Sequence, residues 1–220
     1  MDYTFQWHVV YRNWPLLLTG VWLTVQLSLG ATGLGLLIGI TGALFQASRV
    51  RPLVWLAGGY VEIVRNTPFL VQLFFIFFGL PSVGVRLTAG EAALFALTFN
   101  VGAYATEIVR AGVEAIHKGQ IEAGLSLGLS YLQVFRYVIL VPALEKVYPA
   151  LASQFILLLL NSSIVSQIAA QELTDAANFL QSRSFRSFEI YFAVTLIYLA
   201  LSLIFRGLFH TVRHYAFPRR

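Results

Sequence analysis

The chain has 220 residues, of which 58% are hydrophobic and 11% charged, and its mean hydropathy is +0.73. Soluble domains are about 45–50% apolar and roughly 25% charged, so the composition argues against a soluble enzyme, and it also argues against a disordered chain. The net charge of +5 comes from residues between apolar runs and at the C-terminus, which indicates a membrane and not a nucleic acid, and the lack of cysteine excludes thiol catalysis.

Apolar runs of about 20 residues predict transmembrane helices. Five such runs cover residues 16–45, 53–80, 89–113, 137–160 (or as far as 168) and 188–209. We therefore predict an all-α integral membrane protein with about five transmembrane helices. Gly35 and Gly39 of the first run have the spacing that allows close packing of two helices.

The ends of the chain differ from the spans. Residues 1–15 carry Phe5, Trp7, Tyr11 and Trp14, an aromatic set typical of a membrane interface. Residues 16–215 form a single predicted transmembrane domain with a polar loop at 115–136, and residues 216–220 form a basic tail.

Basic residues orient the predicted spans, because Lys and Arg concentrate on the cytoplasmic side. Nine lie on one side: Arg49, Arg51, Arg110, Lys118, Arg136, Arg206, Arg213, Arg219 and Arg220. Four lie on the other: Arg12, Arg86, Arg183 and Arg186. We expect the N-terminus outside and the C-terminus in the cytoplasm.

Charged residues inside a span cost about 2.5–3.5 kcal/mol on insertion and need an explanation. Glu62 and Arg65 lie three residues apart in the second run, so they are expected to form either a structural ion pair or a polar site beside a transport path. Pro68 removes a backbone donor, so Asn66 to Pro68 predict a break between two half-helices next to a cavity.

The third and fourth runs carry further polar residues. Asn100, Tyr104 and Glu107 share one face of the third predicted helix, where they form either a path or interhelical hydrogen bonds. Glu107 is also expected to pair with Arg110. Asn161, Ser162 and Ser163 could bind the polar ends of an amino acid, although serines in membrane helices commonly bond to their own backbone.

The polar loop predicts a short amphipathic helix, because Ile121, Leu125 and Leu129 recur at helical spacing. Glu122 is expected in its first turn, where a carboxylate favours the helix dipole. Such a helix either docks a partner or rests on the bilayer surface. Gly124 and Gly128 should end it, and the chain should re-enter the membrane near Tyr137.

This loop resembles the EAA loop of ABC importer permeases. Glu122-Ala123-Gly124, Gly128, Ile139-Leu140 and Pro142 follow its pattern, with Gly124 in place of the second alanine and Pro142 one residue late. Three further segments are similar to the polar amino-acid subfamily: the Y-V-E-I-V-R-N-T-P-F-L-V-Q run at 60–72, residues 103–112, and the N-S-S-I-V-S and E-L-T runs at 161–166 and 172–174. The resemblance covers about residues 15–215.

The resemblance implies a permease subunit of a type I ABC importer for polar amino acids in the bacterial inner membrane. Implied partners are two ATPase subunits, a second identical or homologous permease, an extracytoplasmic amino-acid-binding protein and membrane lipid. The candidate substrate path comprises Glu62, Arg65, Thr67, Gln72, Asn100, Tyr104, Glu107, Asn161, Ser162 and Ser163. The candidate ATPase-coupling residues are Gly119, Glu122, Ala123, Gly124 and Gly128.

The chemistry of this chain is expected to be transport alone. No G-x-x-x-x-G-K-[ST] motif is present, so ATP and Mg²⁺ are expected on the partner ATPases and no cofactor or metal in this chain. Family members often carry Asp at the position of Asn161, so Asn favours an acidic or neutral substrate such as glutamate, aspartate or glutamine. The alternatives are an ion-gradient-driven secondary carrier, for which no internal repeat is visible, and a non-transporting membrane scaffold.

Overall fold

A computed structural model describes residues 4–217, and within that range the chain is helical, with no β-strand. Its α-helices are α1 His8–Arg12, α2 Trp14–Gln46, α3 Arg51–Arg65, α4 Phe69–Phe74, α5 Ala89–Glu114, α6 Lys118–Ser126, α7 Tyr131–Val134, α8 Val141–Asn161, α9 Leu173–Ser184 and α10 Ser187–Ala216. π-Helical turns follow α4 (Phe75–Gly79) and join α7 to α8 (Phe135–Leu140), and 3₁₀ segments occupy Leu80–Val83 and Ser162–Ile168.

Four helical segments among residues 4–217 are long and apolar enough to cross a membrane: Trp14–Gln46, Ala89–Glu114, Tyr131–Ile168 and Ser187–Ala216. The predicted second span is present as two pieces, Arg51–Arg65 and Phe69–Val83, which meet at 110°. The predicted break at Asn66 to Pro68 within the apolar run 53–80 is therefore confirmed. Pro68 itself is extended (φ −63°, ψ 136°), and its ring disfavours helix in the preceding residue, Thr67.

The centre of the bundle is the contact of α2 with α5, built from small residues. An added Cβ on Gly35 would lie 2.2 Å from Val101 Cγ1, and one on Gly39 would lie 2.5 Å from Ala105 Cβ. Small residues at these positions let the two backbones pack closely. Such packing helps to hold the helices together, because the hydrophobic effect does not drive helices together within a bilayer. The predicted packing role of this glycine pair is confirmed.

Helix α9 was not predicted, because its sequence is too polar for a membrane span. Its buried residues Leu173, Ala176, Ala177 and Leu180 pack against the start of α2 and against α10. The Leu173 N–H donates to Thr24 Oγ1 at 3.1 Å, and an added Cβ on Gly20 would lie 2.8 Å from Leu173 Cα. Tertiary contacts therefore fix this helix between the fourth and fifth spans.

The two π-helical turns each lie just before a proline. Pro81 follows the turn Phe75–Gly79, and Pro142 follows the turn Phe135–Leu140. Proline supplies no N–H to the carbonyl four residues earlier, and a π turn is a local rearrangement around such a missing bond. The chain re-enters the bundle from Tyr131, nearly two helical turns before the predicted Tyr137.

The N-terminal aromatic residues pack on the start of α10. The Phe5 and Phe188 ring centroids are 5.5 Å apart, and those of Trp7 and Phe192 are 5.8 Å apart. The N-terminal segment and the start of the last span thus form one aromatic cluster, of the kind found at membrane interfaces. Residues 1–3, and residues 218–220 of the predicted basic tail, lie outside the described range.

Candidate functional site

The break between α3 and α4 exposes backbone carbonyls that would be costly in lipid, and side chains satisfy them. Asn66 Nδ2 donates to Glu62 O (2.8 Å), and Thr67 Oγ1 donates to Ile63 O (2.8 Å). Irregular backbone at membrane depth is tolerated where protein or water satisfies it. The sequence Asn66-Thr67-Pro68 therefore causes the break and also supplies side chains that hydrogen-bond to the backbone carbonyls beside it.

Gln72 connects the two half-helices to α5. Its Nε2 lies 2.7 Å from Val64 O, 3.0 Å from Thr67 O and 2.8 Å from Thr67 Oγ1. Its Oε1 accepts from Asn100 Nδ2 at 3.0 Å. One amide thus spans the break and fixes its position against the polar face of the third span.

The side chain of Arg65, the last residue of α3, extends towards α5. Its guanidinium carbon lies 5.5 Å from the centroid of the Tyr104 ring, a cation–π contact. Glu107, one turn further along α5, pairs with Arg110, and Arg110 also pairs with Glu114 at 2.7 Å. The predicted Glu107–Arg110 pair is confirmed.

The alternative of an ion pair between Glu62 and Arg65 is wrong. A Glu62 oxygen accepts from Asn66 Nδ2 at 2.9 Å, while Arg65 is drawn to the Tyr104 ring. No carboxylate of residues 4–217 lies within salt-bridge distance of Arg65. The site therefore contains, beside a half-helix boundary, a guanidinium that forms no salt bridge within residues 4–217, although Glu107 lies close enough to attract it electrostatically.

The site residues predicted on the fourth span, Asn161, Ser162 and Ser163, are not hydrogen-bonded to the group formed by Gln72 and Asn100. Ser162 and Ser163 donate to Leu159 O and Leu160 O, each at 2.7 Å, so they bond to their own backbone, as serines in membrane helices commonly do. Ser162 is buried, and Asn161 and Ser163 are half-buried. Apolar contacts, chiefly Val165 and Leu73 in one core cluster, connect this segment to α4.

Helix α6 begins earlier than predicted. His117 is its N-cap and accepts the Gly119 N–H at 3.1 Å, so Glu122 lies in the second turn and its predicted place in the first turn is wrong. Glu122 and Ala123 are exposed, and Gly119 is half-exposed. These side chains are available to a partner.

Gly128 ends α6 as predicted, whereas Gly124 lies inside the helix and its predicted interruption is wrong. Gly128 has φ +80°, and its N–H donates to Leu125 O while the Leu129 N–H donates to Gly124 O. This is the Schellman arrangement, in which glycine takes the left-handed position at C′. Gly124 is buried, and an added Cβ would lie 3.1 Å from Val134 Cγ2. Gly124 therefore lets α6 pack against α7.

A buried carboxylate, Glu172, was quoted in the motif but not predicted as a site residue. It is 1% exposed, accepts from Tyr198 Oη at 2.6 Å and from the Asp175 N–H at 2.8 Å. Burial raises the pKa of Glu172 above its ordinary value of 4.5, and burial also raises the pKa of Asp175. The position of Glu172 just before Leu173 is typical of a helix cap. Its bond to Tyr198 on α10 could not be expected from the sequence, because Tyr198 is 26 residues away.

These features belong to a helical membrane domain with a broken span, a polar face along α5 and a short exposed helix between spans. The chain matches the family described as "Binding-protein-dependent transport system inner membrane component" over residues 31–213. The chain belongs to that family of inner-membrane permeases. Residues 4–217 contain no group of three or more His, Cys, Asp or Glu able to hold a metal ion.

Similar proteins show that the chain resembles permeases of amino-acid transporters. The probable glutamine ABC transporter permease protein GlnM of Bacillus subtilis (strain 168) is 35% identical over 89% of this chain and 90% of its own length. The L-cystine transport system permease protein TcyB of the same organism is 35% identical over 94% of this chain and 89% of its own. A crystal structure of an amino acid ABC transporter with histidines has a TM-score of 0.91 at 37% identity, covering 97% of this chain and 100% of that one. The chain has the type I ABC importer permease fold.

Proposed function

We propose that this chain is the transmembrane subunit of an ATP-driven importer for acidic or neutral polar amino acids. Its relatives are amino-acid permeases and not ATPases, and importers of this family work with ATPase subunits and a binding protein. We further propose that the N-terminus is outside, as the distribution of basic residues indicates. The observation that carries an amino-acid substrate is the Arg65 guanidinium, which forms no salt bridge among the described residues, and the preference for an acidic or neutral side chain rests on Asn161.

The charges around the α3–α4 break favour a substrate carboxylate. Arg65 contacts the Tyr104 ring and forms no salt bridge among the described residues, and Glu107, which attracts it electrostatically, is already paired with Arg110. A free amino acid brings a carboxylate that can take the place of the missing partner in a charge-assisted pair. Glu107 is paired with Arg110, and position 161 holds an asparagine and not a carboxylate. This subunit therefore offers no negative group at position 161 to bind a cationic side chain. A glutamine or glutamate side chain suits such a path better than arginine.

Uptake into proteoliposomes containing the complete transporter tests this proposal. A hydrogen bond to a charged group contributes about 1.5–3 kcal/mol, so Arg65→Gln should raise the KM for the amino acid by at least tenfold. Arg51→Gln, at the exposed start of the same helix, is the matched control and should leave KM unchanged.

Two outcomes of this assay would refute the substrate class. One is an unchanged KM in Arg65→Gln with normal folding. The other is uptake of arginine in preference to glutamine and glutamate. ATP-free vesicles separate the importer from the carrier alternative, because a secondary carrier would retain uptake without ATP.

We propose that α6 couples this chain to an ATPase subunit through Glu122 and the exposed part of the helix. Glu122→Ala should reduce uptake while ATP hydrolysis by the complex continues. Gln120→Ala, exposed on the same helix, controls for the loss of a polar surface group. Full transport by Glu122→Ala would exclude this coupling role.

A further inference from the structure

A groove between α8 and α10 joins a basic surface to an apolar one. Its volume is about 450 Å³, and Arg206, His210 and Arg213 line one wall. These three residues are spaced i, i+4 and i+7, so they share one face of α10. Ile156 and Leu157 line the opposite wall from α8.

The two kinds of surface are separated along the groove. α8 and α10 are antiparallel: the Phe155 and Phe205 ring centroids are 4.8 Å apart, and Tyr148 donates to Phe209 O at 2.9 Å. His210 and Arg213 therefore lie towards the Tyr148 end of α8, Arg206 lies near the level of Phe155, and the apolar wall continues to Leu160 at the other end. One end of the groove is cationic and the other is hydrocarbon-like.

The position of Arg206 along α10 matches the membrane boundary. Ser187 begins the helix, and Arg206 follows it by about 29 Å at 1.5 Å per residue. The hydrocarbon core of a bilayer is about 30 Å thick. If the hydrocarbon begins at Ser187, Arg206 lies at its opposite boundary, near the end of the predicted span at 188–209, and Arg213 lies beyond it in the headgroup region.

The basic residues have no acidic partners in the described part of the chain. Neither Arg206 nor Arg213 lies within salt-bridge distance of a carboxylate of residues 4–217. Glu145, the nearest acidic residue along α8, does not line the groove. A phosphate group would complement these charges, and a membrane supplies phosphate joined to acyl chains.

We propose that this groove binds one anionic phospholipid, with its phosphate between Arg206 and Arg213 and an acyl chain along Ile156, Leu157 and Leu160. Basic pockets between membrane helices bind such headgroups. The apolar wall distinguishes this occupant from free phosphate, which would need only the basic end. The bound lipid would join the ends of α8 and α10.

Thermal unfolding of the delipidated complete transporter in detergent tests the proposal. Phosphatidylglycerol should raise the midpoint in a saturable manner, while phosphatidylcholine and inorganic phosphate should not. The double variant Arg206→Gln, Arg213→Gln should bind phosphatidylglycerol about 30-fold more weakly, since each basic residue near an anionic lipid surface contributes roughly fivefold. Arg49→Gln and Arg51→Gln, exposed basic residues outside the groove, are the controls and should bind it normally.

Each other outcome identifies a different occupant and overturns the proposal. Equal stabilisation by phosphatidylcholine would mean an apolar groove without headgroup recognition, and stabilisation by inorganic phosphate alone would mean a free anion site. Loss of an ATPase or permease subunit from the double variant would mean a protein interface. If the double variant does not fold, Arg213→Gln alone should weaken phosphatidylglycerol binding about fivefold, and unchanged binding would refute the site.

Discussion

Gln72 is predicted to hold the α3–α4 break in place, and Gln72→Leu tests this. The Nε2 group has two hydrogens for three nearby acceptors, so it makes at most two of those bonds at once. The bond from Asn100 is a third. Interhelical side-chain hydrogen bonds in membranes average about 0.6 kcal/mol each, so the three together are worth about 2 kcal/mol.

The variant should lower the unfolding midpoint of the complete transporter by about 4–8 °C, because 1 kcal/mol shifts the midpoint of a 150–250-residue domain by about 2–4 °C. Asn100→Leu removes only one of the three bonds and should cost about a third as much. Gln26→Leu, at an exposed position of α2, controls for replacing an amide with an aliphatic group and should not destabilise.

Thermal unfolding in detergent ranks the three variants, and amino-acid uptake reports the consequence for transport. Gln72→Leu should also raise KM, since the same bonds fix the backbone from which Arg65 extends. The reasoning is refuted if Gln72→Leu unfolds at the same temperature as Gln26→Leu, or if Asn100→Leu is the more destabilising of the two network variants.

Three more predictions follow from single positions. Gly39→Ala should destabilise by about 1–3 kcal/mol through overpacking, whereas Gly33→Ala, with nothing within 4 Å of an added Cβ, should be neutral or stabilising by up to about 1 kcal/mol; equal unfolding midpoints would contradict the α2–α5 contact. Gly128→Ala should cost about 1–2 kcal/mol at φ +80°, and its substrate-stimulated ATPase activity should fall, with Gly128→Asn recovering part of both. Because burial raises the pKa of Glu172 above 4.5, the stability of the wild type relative to Glu172→Gln should be greatest below pH 4.5 and decrease as the pH rises through the folded-state pKa; midpoints measured across pH check this, and a constant difference would refute it.

Local sequence was sufficient for features that depend on neighbours along one helix. Pro68 predicted the break because a missing N–H acts within one turn, and Glu107 predicted its pairing with Arg110 at i, i+3. The left-handed turn at Gly128 likewise follows from the residue itself. These features require no knowledge of how the helices are arranged.

Features that depend on distant residues were not predictable from spacing. Glu62 and Arg65 have the spacing of an ion pair. Arg65 instead contacts the ring of Tyr104, which is 39 positions away, and Glu62 accepts a hydrogen bond from Asn66. Helix α9 is too polar to be recognised as part of a membrane domain, and its contact with Gly20 joins segments about 150 residues apart. In both cases the deciding contact is with a residue far away in the chain, which only the packed bundle brings close.

A short linker that α8 contacts joins α5, which carries the polar face, to the exposed helix α6. α5 ends at Glu114, three residues before the His117 cap of α6, and Lys146 Nζ of α8 donates to Ala115 O at 2.6 Å in that linker. Gly112 packs against Val147, where an added Cβ would lie 2.0 Å from Val147 Cγ1. A displacement of α6 by a bound ATPase would therefore move α5 and α8 together, because the linker between them has little freedom. Asn100 would move with α5, and through Gln72 it would carry the α3–α4 break and Arg65 along, which gives the proposed coupling helix a direct route to the proposed substrate path.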